Sequence, residues 1–448
     1  MTTAIFIFRR DLRAHDNTAL YHCQKKHKVV IPIFIFDPVQ VGANPHKSAL
    51  AVNFMIESLE DLKKQIPTLN ICKGKPIDVL NSISKEICAN AVYCNKDYTP
   101  YSIARDKLIA EWCAKSTIKF ITFDDSLTTL QHMAKTENRY KQYTPFYNFT
   151  ISNPGVMIGT TPPISQTGFL KLKNAAFQHD CRAFIQQTSA TPELRGGTHE
   201  ASSLLKRYEN HKRFTAEDIL DGSAGSRLSP HLRFGTISVR EFYDVADEET
   251  RKQLIWREFY MYIGLWYPQI FSYAHLHYPT LDVKKLVWPG DPQHFALWKC
   301  GKTGVPIVDA GMRQLAATGY ISNRMRMIVA EFLVKTLLIE WRLGEQYFAT
   351  QLLDYDRCIN IGNWNWVATF GLDYYIRLFN PWRQSVKFDP EAKYIKKWIP
   401  ELKNESVKDI HSGNLPKYKA IVDHLEQGKK YVAWYDKAVA DARKQSLK

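Results

Sequence analysis

Asp356-Arg357-Cys358-Ile359-Asn360-Ile361-Gly362-Asn363-Trp364-Asn365-Trp366 gathers two tryptophans and several amides into one short segment, opened by Asp356 and preceded by Asp354. Tryptophan is large and rare, and two at i, i+2 beside polar groups of the buried kind are more than packing. An indole pair with amides can stack a planar ring, supply electrons and hydrogen-bond a ring nitrogen. Gly362 predicts a bend in the segment. On its own residues the stretch reads as an aromatic-cofactor site.

Around it the chain is helical. From about Ala201 onward, Gln253–Trp266, Val308–Thr318 and Ser322–Leu343 are long periodic stretches, with no convincing strands. The start of the chain reads differently. Ala4–Phe8, Val29–Phe36, Ala91–Cys94 and Ile118–Phe123 are apolar runs of strand length, separated by amphipathic stretches such as Ala49–Gln65 and Tyr101–Ala114. That alternation predicts an α/β N-terminal domain with a doubly wound parallel sheet over residues 1–130. Pro154-Gly155, Pro162-Pro163 and Gly196-Gly197 mark residues 131–200 as a linker laid over the surface. An all-α domain is expected over 201–448. The tail after Tyr431 is short and charged, so no large further domain is expected. No G-x-G-x-x-G opens the first half, which argues against a dinucleotide bound in the usual Rossmann manner.

Sixty basic against 45 acidic side chains give a net charge of +15 and a pI near 9.2. That balance favours a polyanionic partner, nucleic acid before an anionic membrane. Ala4–Phe8 is too short for a membrane span or a secretory signal and runs straight into Arg9-Arg10-Asp11. The eight cysteines contain no C-x-x-C pair, which fits reduced thiols in a cytoplasmic protein. None follows Cys358, which excludes a cysteine-held iron–sulfur cluster beyond it. No metal site is expected.

Three segments of the helical half carry chemistry. Gly225-Ser226-Arg227-Leu228-Ser229-Pro230 offers hydroxyls and backbone amides at a helix start, where a pyrophosphate can be cradled and where serine also simply caps. Gln253, Trp256, Arg257 and Tyr260 fall at i, i+3, i+4 and i+7, one helix face too polar for a core and too aromatic for a solvated surface. Such a face can stack a base and meet an anion, or plug an interdomain seam. In Tyr320-Ile321-Ser322-Asn323-Arg324-Met325-Arg326-Met327, Asn323 and Met327 share a face. Arg326, so near an apolar run, needs a carboxylate, for which Asp354 is the candidate.

These segments together resemble the DNA photolyase/cryptochrome family, most closely its class I cyclobutane-pyrimidine-dimer (CPD) photolyases. Phe8-Arg9-Arg10-Asp11-Leu12-Arg13, Tyr143-Thr144-Pro145-Phe146 and Lys302-Thr303-Gly304-Val305-Pro306-Ile307-Val308-Asp309-Ala310 extend the likeness over nearly the whole chain. The resemblance implies a helical domain holding FAD, with Tyr208, Gly225, Ser226, Arg227, Leu228, Ser229, Arg257, Asn323, Arg326, Asp354, Asp356 and Asn360 as contacts. Asn360 would face flavin N5, where plant cryptochromes are expected to carry Asp and animal ones Cys. Trp364, Trp341 and Trp288 match the family's inward electron relay.

Lys212, Gln253, Trp256, Asn323, Arg324, Met327, Trp366 and Gln384 match positions that grip UV-damaged DNA. Two departures stand out. Gln253 replaces the Glu of class I CPD enzymes, as in (6-4) photolyases, yet neither Asn323 nor Met327 is the catalytic His those enzymes use. Thr250 replaces a family Trp. The expectation is light-driven CPD repair by a monomer without membrane attachment, with (6-4) or single-stranded DNA preference, or a cryptochrome photoreceptor, as alternatives. Asp97-Tyr98-Thr99-Pro100-Tyr101-Ser102 lacks the Glu of folate-binding relatives. A second, antenna chromophore is therefore open between deazaflavin, flavin and folate, or absent.

Overall fold

The computed structural model describes residues 2–42, 44–130, 140–165, 167–210, 220, 225–272, 275–276, 281, 286–373 and 375–446. Five strands form one parallel sheet: β1 (Thr3–Phe8), β2 (Val29–Phe36), β3 (Asn70–Lys73), β4 (Ala91–Asn95) and β5 (Lys119–Phe123), ordered β3-β2-β1-β4-β5. Ile5 of β1 sits opposite Ile31 of β2 and Val92 of β4. Side chains alternate across β1. Phe6 and Phe8 join a core with Phe34, Phe36 and Phe54 on one face, while Ile5 and Ile7 join Ile31, Ile33 and Leu80 on the other. Both faces are covered, which is why these strands read as unbroken apolar runs. β3 escapes a reading by apolar runs because its four residues begin with Asn70, whose amide serves the connection by donating to Pro32 O (2.9 Å) and accepting from Leu172 N (2.9 Å).

Helices α1 (Thr18–Lys26), α2 (Ala49–Gln65), α3 (Pro76–Ser84) and α4 (Pro100–Lys115) make the crossovers. Asn17, Ser48 and Thr99 cap α1, α2 and α4 through their side-chain oxygens. After α5 (Tyr143–Ser152) the connection is short turns, pinned by bridges from Phe169 to Val30 and from Gln178 to Ile71 and by buried Leu172, Phe177 and Leu194.

The remainder is helical: α6 (Thr198–Asn210), α7 (Ser229–Phe234), α8 (Glu248–Trp266), α9 (Pro306–Thr318), α10 (Asn323–Glu331), α11 (Trp341–Gln351), α12 (Arg357–Val367), α13 (Pro381–Phe388) and α14 (His424–Ser446) are its principal elements. Phe234, Tyr320 and Leu353 from this half complete the phenylalanine core of the sheet, so the two regions share packing.

Two expectations are corrected here. Ser322–Leu343 is not one helix: α10 runs into a π-helical turn at Phe332–Thr336, and Leu338 adopts a left-handed φ of +58°. Gly290 closes on this break, its N–H donating to Leu338 O (3.1 Å), where a Cβ would stand 2.3 Å from Leu337 O. The Asp356–Trp366 segment is not bent at Gly362. It is the regular helix α12, and Gly362 instead admits the Tyr260 ring of α8, which a Cβ would meet at 2.3 Å. Among the described residues no helix is long and apolar enough to cross a membrane.

Candidate active site

The start of α12 anchors the site. Asp356 Oδ1 accepts from the amides of Cys358 (2.9 Å) and Ile359 (3.2 Å). Its other oxygen takes Arg10, from the turn after β1, in an ion pair; Arg10 also reaches Asp97 at 3.2 Å. Burial alone would raise the Asp356 carboxyl, but Arg10 and Arg233 outweigh it and hold it below the ordinary carboxylate range. Arg257 lies at the same seam, bound to Glu258 at 2.7 Å. Asp356, expected on the cofactor, therefore also ties the two halves together through Arg10, while Arg257 braces Glu258, whose carboxylate accepts from Thr128 N–H at 3.2 Å.

One turn on, Asn360 Nδ2 donates to Glu345 O (3.2 Å) and to the Glu345 carboxylate (3.1 Å), which also receives the Tyr355 hydroxyl (3.1 Å). These bonds orient the amide and leave its Oδ1 unused by them. Asn360 lines a cavity together with Asn323, Arg326, Met327, Asp354, Asp356 and Trp364, so seven of the singled-out residues converge on one space. Arg326 pairs with Asp354 Oδ2 at 2.8 Å as the sequence required. Asp354 Oδ1 is buried without a hydrogen-bond partner among the described residues. Asn323 Nδ2 faces Met327 Sδ at 3.8 Å. Arg324 turns away and lies over Phe388 of α13, 4.7 Å from the ring centre. Gln384 precedes Phe388 by one turn, and its Oε1 is buried and without a partner among the described residues.

Other singled-out residues lie outside this cavity's wall. Tyr208 is buried at the end of α6, its hydroxyl 2.8 Å from Asp247 and 2.9 Å from Thr250 Oγ1. Thr250, the departure from the family pattern, thus has a structural partner. Arg227 has a φ of +55°, pairs with Glu193 and lies over Tyr320 at 5.5 Å; Arg326 lies over the same ring at 6.0 Å. Tyr320 thereby links the Gly225–Leu228 turn to Arg326. Ser226 Oγ accepts from Leu228 N (3.3 Å), and exposed Ser229 opens α7. Gln253 is exposed on α8. Trp256 is half-buried and stacks flat on Tyr143, centroids 3.7 Å apart. Trp366 is half-buried under Arg377 at 5.7 Å. The strand of chain carrying Arg377 is held by Lys335 Nζ on Arg377 O (2.8 Å) and by Phe379 N on Glu331 (2.9 Å). Lys212 lies outside the described residues.

Trp364, Trp341 and Trp288, expected to form a relay, share one neighbourhood. Gly344 sits against the Trp364 ring, where a Cβ would come within 2.2 Å, and Trp341 opens the same helix one turn earlier. Phe370 stands between Trp341 and Trp288, at 6.4 and 5.8 Å. Gly290, two residues after Trp288, is the one that closes on the break before Trp341. Glu345, Arg10 and Phe370 do not stand out in the sequence as site residues. Only Arg10 carries a signal there, in its doubled arginine beside an aspartate.

A second cleft, of about 360 Å³, opens at the carboxyl ends of β1, β2 and β4. The strand order reverses between β1 and β4, which is where open α/β sheets bind ligands. Arg9, Asp37, His46, Tyr101 and Arg105 are among its walls, with the Tyr101 hydroxyl bonded to Asp37.

The sequence profile for the FAD binding domain of DNA photolyase matches residues 250–447, and that for DNA photolyase matches residues 4–154. The deoxyribodipyrimidine photo-lyase of Buchnera aphidicola subsp. Baizongia pistaciae is 34% identical, covering 92% of this chain and 91% of its own. A photolyase from Sulfolobus tokodaii, solved with two FAD molecules, is 38% identical with a TM-score of 0.85, covering 97% of this chain and all of its own. A Synechocystis cryptochrome shares the fold at 24% identity, TM-score 0.86, over 97% of this chain and 99% of its own. These matches, spanning nearly the whole of a chain with this two-part fold, place it in the DNA photolyase family.

Proposed function

We propose that this chain is a light-dependent DNA-repair enzyme that splits cyclobutane pyrimidine dimers with FAD as its cofactor. The single observation that carries the assignment is the polar cavity beside Trp364. Its unpartnered Asp354 Oδ1, its oriented Asn360 amide, its Asn323 and Arg326 donors and its indole wall fit a planar ring that both donates and accepts hydrogen bonds, such as the flavin of FAD. FAD, once bound, reduced and excited by light, supplies the electron that opens the cyclobutane ring.

The chain's own residues do the rest. Asp354, Asp356, Asn323, Arg326 and Asn360 hold the ring system. Tyr208, Gly225, Ser226, Arg227, Leu228, Ser229 and Arg257 form the outer part of the cofactor site. Trp256 and Trp366 stack the extruded bases, whose cost of unstacking is lowest for a dimer that already distorts the duplex. Gln253 donates a hydrogen bond to a thymine carbonyl, and Asn323 and Met327 line the pocket. Lys212, Arg324 and Gln384 hold the backbone of UV-damaged DNA, so affinity falls with salt. Trp288, Trp341 and Trp364 pass electrons inward. Residues 1–130 form the antenna domain, 131–200 the linker and 201–448 the cofactor domain, in a monomer acting in the cytoplasm. The cleft at the β1/β4 switch point holds a second planar chromophore, and its crevice position and aromatic wall support that reading.

The test is turnover of thymine-dimer DNA by the flavin-reduced protein under blue light. Restored thymines in the light and none in the dark are expected; no excess over the dark control, on duplex and single strands alike, overturns the assignment.

A further inference from the structure

The relay does not stop at Trp288. Helix α14, in the charged tail, lays Trp434 against the Trp288 ring with centroids 4.4 Å apart and planes at 42°, the closest tryptophan pair among the described residues. Tyr431 and Tyr435 fix that helix on either side of Trp434, their hydroxyls donating to Ala368 O (2.9 Å) and Thr369 O (2.5 Å) at the end of α12. The contact is therefore braced to the helix that carries Trp364.

The two indoles differ in what an oxidised ring can do next. Trp288 is half-buried, but its Nε1 is buried and has no hydrogen-bond partner among the described residues, so a positive charge there has no route by which to send its proton. Trp434 is half-buried, and its Nε1 donates to Val287 O (3.0 Å) beside a residue that is 82% exposed. Water reaches that neighbourhood. A hole is better solvated at Trp434, and there it can be made permanent by loss of the Nε1 proton.

We propose that Trp434 is the outermost member of the relay and the residue at which the chain exchanges electrons with soluble reductants; this rests on the relay role of Trp364, Trp341 and Trp288 given above. One electron moves inward per photon absorbed, with the flavin as its acceptor. Trp364, Trp341 and Trp288 are oxidised and refilled in turn, and Trp434 refills Trp288. The oxidised Trp434 releases its Nε1 proton to water. A soluble thiol then returns one electron and one proton to Trp434, and the resulting thiyl radicals pair as a disulfide.

The experiment is a laser flash on the flavin-loaded protein and on its Trp434→Phe, Trp288→Phe and Trp341→Phe variants, following tryptophan-radical absorption and the spin–spin distance by pulsed electron paramagnetic resonance. Wild type should show a longer-lived radical, outlasting that of Trp434→Phe severalfold, and a wider spin separation. Equal lifetimes and equal separations in these two proteins overturn the role of Trp434. That outcome leaves the inner relay standing if Trp341→Phe has lost the separated radical; an undiminished radical in Trp341→Phe overturns the relay itself. A measurement without substitution accompanies these: after prolonged illumination in air, mass spectrometry of wild type should find oxygen added at Trp434 ahead of Trp288, and the reverse order overturns the proposal.

Discussion

The seam between the two halves and the cavity beside Trp364 handle buried polarity in opposite ways. At the seam the buried carboxylates are met by guanidinium groups. Arg240 pairs with Asp16 (2.9 Å) and Asp125 (2.8 Å), Arg13 with Asp125 (2.6 Å), and Arg10 with Asp97 and Asp356. In the cavity, Asp354 keeps one oxygen unpartnered, and Asn360 spends only its Nδ2 on protein. Buried polar groups without partners cost stability, so a carboxylate left half open beside an oriented amide and an indole, where the seam carboxylates are paired, marks that place for a ligand. The seam is built for holding; the cavity is built for receiving.

That contrast breaks if seam and cavity substitutions behave alike. The largest effect is expected for Arg240→Ala, which leaves buried Asp16 without its guanidinium and Asp125 with Arg13 alone and should cost about 3–5 kcal/mol, read from the shift in denaturation midpoint. A loss below about 1 kcal/mol would mean that the seam charges are not structural.

Next is the seam histidine. His231 is fully buried on α7, hydrogen-bonded to Thr236 (2.7 Å), and burial lowers it from the ordinary 6.5 to about 4. Its neutral form is the one that fits. The stability it confers is present above pH 6.5 and drains away as pH falls toward 4, by about 3 kcal/mol, because each tenfold weakening of proton binding is worth roughly 1.4 kcal/mol. Denaturation midpoints across that window should fall less steeply in His231→Gln than in wild type.

Asp354→Asn probes the cavity. Arg326 keeps a hydrogen-bond acceptor, so stability should change by about 1 kcal/mol or less, while the FAD retained through purification drops, read from absorbance. A large stability loss with full FAD content would invert the comparison. The smallest structural effect belongs to exposed Gln253→Glu, where the melting transition should not move while repair per absorbed photon rises; an unchanged or lower quantum yield would separate Gln253 from the lesion.

Much of this was legible in the chain because its signals are local. The unalternating strands Val29–Phe36 and Ala91–Asn95 announce a sheet covered on both faces, and Arg326 near an apolar run demanded the carboxylate it found in Asp354. What stayed hidden depends on distant contacts. Gly362 reads as a bend until the Tyr260 ring is seen to need its space. Leu338 adopts a positive φ where Gly290, from elsewhere in the chain, donates its N–H to the Leu338 carbonyl. Trp434 sits among lysines in a tail that looks merely solvated, and only folding lays it on Trp288.

The link between Arg10 and Asp356 joins positions 346 residues apart in sequence. Contacts so remote form late, since the intervening polymer must first be ordered. The helix bearing Trp364 therefore takes one of its anchors from the other end of the polypeptide, and a chain truncated before Leu353 lacks both that tie and the Leu353-to-Trp364 wall against which the sheet and the cofactor pocket are completed.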